Sequence, residues 1–97
     1  MTIVHIVLVK IKSDVTLFKD STSKLAEEEA LKPLYKDFKW SAPVFDARER
    51  GYDWGLYSVF EDKDKLKEYS VHPVHVDFVN NFIKPYTEDI LAYDFEI

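Results

Sequence analysis

The nine residues from Ile3 to Ile11, Ile-Val-His-Ile-Val-Leu-Val-Lys-Ile, restrict the fold more than any other stretch of the chain. So many β-branched residues in succession favour an extended strand. A strand with one wet face alternates apolar with polar residues, and here that alternation is almost erased, so both faces call for cover. Trp54, Leu56, Tyr57, Val59 and Phe60 make the same demand of a later strand. Helices of the same chain can cover one face. The other face needs a second sheet, and in a chain of 97 residues its simplest source is a second copy, closing a two-fold homodimer. The alternative, a monomer, would leave a large apolar patch in water.

The rest of the chain reads as three helical and three extended segments. Ser13-Asp14 offers an N-cap, and good helix formers run from Val15 to about Leu34, through the acidic Glu27-Glu28-Glu29, until Pro33 disturbs the end. Lys39 to Asp46 and Asp53 to Phe60 read as a hairpin joined by the polar Arg48-Glu49-Arg50-Gly51, whose glycine suits a turn. Asp62 can cap a short helix that His72-Pro73 interrupts, because a residue before proline is pushed out of the helical region. Proline is welcome in the first turn of a new helix. There His75, Phe78, Val79, Phe82 and Ile83 share one stripe, up to Pro85. Ile90 to Ile97 closes as a strand with Leu91, Tyr93 and Phe95 on one face and Ile90, Ala92, Asp94 and Glu96 on the other. The order β-α-β-β-α-β predicts an α+β, ferredoxin-like fold: a four-stranded antiparallel sheet with helices on one face, one domain over residues 1–97.

Charge and composition exclude several functions. Thirteen Lys and Arg against 18 Asp and Glu give a net charge of -5, and the two signs are interspersed, which disfavours nucleic acid as a partner. With no cysteine there is no disulfide, thiolate metal site or thiol nucleophile. The first apolar run is too short to span a bilayer and lacks the basic flank and cleavage site of a signal peptide. The expectation is a soluble, cytoplasmic protein without membrane partners.

Chemistry concentrates in Tyr69-Ser-Val-His-Pro-Val-His-Val76, which holds two of the chain's three histidines beside a tyrosine. The third, His5, lies in the first strand. Imidazole exchanges protons near neutrality, so a Tyr/His cluster facing another His fits acid-base chemistry. Each residue has a structural alternative. His75 could bond a backbone carbonyl and fix the turn at Pro73; His72 is placed to cap the helix that follows; His5 could be a satisfied core histidine; Tyr69 could simply pack its ring. His72 and His75 with Asp77 or His5 could offer metal ligands, but the pair straddles a proline break and no ligand motif supports it, so no metal is expected.

Val4 to Lys12, Gly51-Tyr52 with Val59-Phe60-Glu61, and Tyr69 through His75 with Phe78 resemble the opening strand, third strand and hallmark segment of the stress-responsive A/B barrel domain family. The resemblance covers nearly the whole chain and implies a dimeric α/β barrel. Within that family the chain is most similar to plant polyketide cyclases, whose motif is also Tyr, two residues, His-Pro, one residue and His. It implies a cofactor-independent lyase or isomerase that promotes an intramolecular aldol condensation, with His75 as base and Tyr69 as hydroxyl partner. His5, Val7, Val9, Leu56, Phe78 and Phe82 would line the site of a small hydrophobic or polyketide-like ligand. Val15 to Leu34 holds no tyrosine, where those cyclases carry a further pocket tyrosine, and Trp54 replaces a smaller residue, so the pocket departs from theirs. The alternative reading is a non-enzymatic barrel that binds a small hydrophobic ligand in the same place.

Overall fold

The computed structural model describes residues 2–12, 15–45, 48 and 50–97. Strand β1 (Ile3–Ile11) is central, with β3 (Trp54–Phe60) on one side and β4 (Thr87–Glu96) on the other, while β2 (Asp37–Ser41) forms the edge beyond β3. All three pairings are antiparallel. With helices α1 (Val15–Ala26), α2 (Lys63–Val71) and α3 (Pro73–Phe78), this is the expected ferredoxin-like arrangement.

The register separates two faces. Ile3, His5, Val7 and Val9 of β1 lie beside Phe60, Ser58, Leu56 and Trp54 of β3 and Glu96, Asp94, Ala92 and Ile90 of β4. This is the helix side, where Phe18, Leu25, Leu31, Phe60, Tyr69, Phe78 and Ile83 close the core with Ile3 and Val9. Phe18, Thr22 and Leu25 recur along the buried side of α1, and the Trp54 indole N–H donates to Thr22 Oγ1 over 3.0 Å, tying helix to sheet. On the opposite face Val4, Ile6 and Leu8 sit among Tyr57, Leu91, Tyr93 and Phe95. The last four are exposed, Tyr93 to 63%. No helix among the described residues is long and apolar enough to cross a membrane.

Several boundaries differ from the sequence expectation. Helix α1 stops at Ala26, not near Leu34, and the chain continues through tight turns, Glu27 N to Lys24 O and Glu28 N to Leu25 O at 3.1 Å each. Extending it would place Glu27, Glu28 and Glu29 on the negative end of the helix, whereas turning brings Leu31 fully into the core. Pro33 then sits in a short 3-10 turn, Lys32–Leu34. Strand β2 runs from Asp37 to Ser41 rather than from Lys39 to Asp46, because Pro43 has no N–H for the ladder. Asp46, Glu49 and the Ser13-Asp14 cap lie outside the described residues. The connection back to β3 does turn through its glycine, with Gly51 at φ 88° and Arg50 at φ 54°. Strand β4 starts at Thr87, three residues earlier than expected, where the Thr87 hydroxyl donates to the Ile83 carbonyl over 2.7 Å.

The helical stripe also shifts. After Phe78 the backbone widens into a π-turn, Val79–Ile83, marked by the Lys84 N–H donating to the Val79 carbonyl five residues back. The wider turn keeps Ile83 in the core and swings Phe82 outward, leaving it 37% exposed.

Candidate active site

A helix break positions the cluster. Asp62 accepts the Lys65 N–H over 2.9 Å and starts α2, whose final turn carries the buried Tyr69. His72 is extended (ψ 133°), as a residue before proline must be, and its Nδ1 accepts the Val74 N–H over 3.2 Å. It is the cap of α3, with Pro73 in the first turn. The chain thus folds back so that His75 lies over Tyr69, ring centroids 4.3 Å apart and planes inclined at 47°.

Its partner fixes the tautomer of His75. His75 Nδ1 is 3.1 Å from the Ser70 carbonyl, which only accepts, so Nδ1 carries the proton and neutral His75 keeps the Nε2 lone pair. His5 Nδ1 bonds the carboxylate of Asp94, its direct neighbour across the β1–β4 pairing, which orients the ring. The structural alternatives raised for His75 and His5 therefore each account for one ring nitrogen. Burial lowers the pKa of His75, against an opposing contribution from the Ser70 bond, and His5 and His72 lower it further. Burial also raises the Tyr69 hydroxyl well above the ordinary phenol range, with Tyr35 adding to the effect. At neutral pH the pair is a neutral imidazole beside a protonated phenol.

Around them lies a cavity of about 180 Å3 between sheet and helices. Of the residues expected at the site, His5, Val7, Leu56, Tyr69, His75 and Phe78 line it together. Two do not. Val9 is wholly buried in the core, one inward position further along β1, and Phe82 has been turned away by the π-turn to stack on the outer side of Phe78, centroids 5.7 Å apart. Trp54 is also absent from this wall. The sequence reading did not single out Trp40, Ile90 and Ala92 as lining, or Asp94 as the partner of His5. Trp40 shares the inward side of β2 with Phe38, and Asp94, Ala92 and Ile90 share the inward side of β4. That alternation was the available signal; the pairing register that selects His5 for Asp94 was not. Among the described residues no three His, Asp or Glu side chains gather as metal ligands.

Fold and cavity together define a ferredoxin-like α+β protein with a Tyr/His cluster in a mostly apolar cavity against its sheet. The chain belongs to the stress-responsive A/B barrel domain family, whose model matches residues 3–97. Olivetolic acid cyclase of Cannabis sativa is 27% identical over 105 aligned residues, covering 98% of this chain and 96% of that protein. The stress-response A/B barrel domain-containing protein HS1 of Arabidopsis thaliana is 31% identical over 90, covering 81% of each. The crystal structure of a dimeric ferredoxin-like protein of unknown function from Jannaschia sp. CCS1 superposes with a TM-score of 0.83 at 20% identity, covering all of both chains. The relatives thus include a named enzyme and a protein named by its domain alone.

Proposed function

We propose that this chain is a cofactor-independent, polyketide cyclase-like lyase or isomerase that closes a small apolar ketone substrate by intramolecular aldol condensation. The observation that carries the reading is the Tyr69–His75 contact in a mostly apolar cavity, with His75 Nδ1 held by Ser70 and Nε2 free to act as the base. His75 Nε2 takes a proton from the carbon α to a ketone, and the Tyr69 hydroxyl donates to the oxygen on which negative charge gathers. The carbanion carbon then bonds to a second carbonyl carbon of the same molecule. That carbonyl π bond opens to an alkoxide, which recovers the proton from the imidazolium to give a β-hydroxyketone; loss of a second α proton and of the hydroxyl, together as water, then forms the enone and leaves the protein unchanged. His5, oriented by Asp94, lines the same space.

The active form in this reading is a homodimer, packed through the sheet face that carries the exposed Tyr57, Leu91, Tyr93 and Phe95; structural neighbours of the same fold are described as dimeric. The experiment is turnover of a small linear diketone whose ring closure gives a conjugated, ultraviolet-absorbing enone. His75→Ala should abolish it in a folded protein, and Tyr69→Phe, which keeps the ring, should slow it by less. If the wild type binds such ketones without converting them, the non-enzymatic ligand-binding barrel takes its place.

A further inference from the structure

The chain has two tryptophans, and their indole N–H groups are treated differently. That of Trp54 reaches Thr22 Oγ1. That of Trp40 is buried with no hydrogen-bond partner among the described residues. A buried donor left unpaired is costly, and folded proteins keep few of them. Trp40 is also part of the cavity wall with Tyr69 and His75, projecting from β2 at the position paired with Leu56 of β3. The rest of that wall is mostly aliphatic or aromatic and gives the indole no bond, so an acceptor carried by an occupant of the cavity would complete it.

The geometry points to Trp40 as a specificity-determining residue: its Nε1–H donates to a carbonyl oxygen of the occupant, selecting ketones over hydrocarbons of the same shape. This rests on the ligand-binding cavity proposed above and adds to it the polar feature a ligand must carry. Trp40 stands on the sheet, while Tyr69 and His75 come from the helices. A substrate with two ketone groups could therefore be held by one oxygen at Trp40 while the other carbonyl faces the Tyr69–His75 pair. Trp40 takes no proton in this scheme; it positions.

The test compares acetophenone with ethylbenzene and methyl pentyl ketone with heptane, each pair matched in skeleton. In the wild type, NMR should show both members of a pair shifting the Val7 and Leu56 methyls, while only the ketones move the Trp40 indole N–H and neither moves that of Trp54. In Trp40→Phe the ratio of ketone to hydrocarbon affinity should fall about fivefold to tenfold, a double difference that cancels the unequal hydration of the probes. If the variant does not fold, the wild-type indole signals decide alone. Ketones that shift the methyls but leave the Trp40 signal unmoved would refute the role of Trp40 and leave the cavity reading standing. If no probe shifts a cavity methyl, the ligand site falls and the inference falls with it.

Discussion

Tyr93→Asp is the sharpest perturbation of the proposed assembly. Tyr93 lies on β4 directly across from Ile6, on the sheet face away from the helices, and is 63% exposed. A tyrosine side chain presents about 200 Å2, so dimerisation through this face would remove about 130 Å2 at this residue from water, twice over by symmetry. At about 25 cal/mol per Å2 the two sites contribute about 6 kcal/mol of gross apolar burial, equivalent to about four orders of magnitude in Kd. The aspartate removes this and sets a charge in a dry interface on each protomer. Sedimentation equilibrium of the wild type at micromolar concentration should give about twice the chain mass of 11.4 kDa, and Tyr93→Asp should give the monomer. Circular dichroism should show the variant still folded, because the substituted side chain lies outside the core of its own protomer. A wild type that stays monomeric throughout, or a variant that dimerises with unchanged affinity, would refute this face as the interface.

Three further outcomes follow from the site and its scaffold. Because burial lowers the pKa of His75 from its usual 6.5, kcat/KM should fall on the acidic side with a single-proton slope and a midpoint below 6.5, absent from any residual activity of His75→Ala. The same shift means that the unfolded chain binds more protons in this window, so the His75 contribution to stability is present above pH 6.5 and is lost as pH falls through its lowered folded value; NMR titration and urea unfolding across that range check it. Asp62→Ala removes the cap of α2 and should cost about 1 kcal/mol, read as a lower urea midpoint at unchanged slope.

Strand β1 was legible to the residue because its faces are set by its own composition, and the bend between α2 and α3 was legible because proline acts locally on its predecessor. The end of α1 was not, since Leu25 to Leu31 has strong helix formers and only the core's need for Leu31, set by distant partners, ends the helix early. The edge strand β2 slid for a similar reason: its span is fixed by pairing from Asp37↔Val59 to Ser41↔Gly55, information held by β3. Of the candidate site, the residues carried on the helix break came from one local motif. The other members, Trp40 on β2 and His5 on β1 with its partner Asp94 on β4, come from three separate strands, and only the sheet order brings them together at the cavity.

Phe82 shows how a local rule can be correct and still misplace a residue. A period of 3.6 puts His75, Phe78, Val79, Phe82 and Ile83 on one stripe, and the first three and the last do line the cavity. The π-turn adds about one residue to a single turn, so the stripe slips by about 100° beyond Val79, and Ile83 takes the inward direction that Phe82 would have held. The substitution matters for the cavity. A phenyl ring there would occupy space beside His75 and Tyr69 that the smaller Ile83 leaves open, while Phe82 instead backs Phe78 from outside and holds that ring against the cavity. The irregular turn therefore shapes the cavity beside His75, in the segment that follows directly from the helix carrying it, and under the proposed function that is the space a ligand would fill.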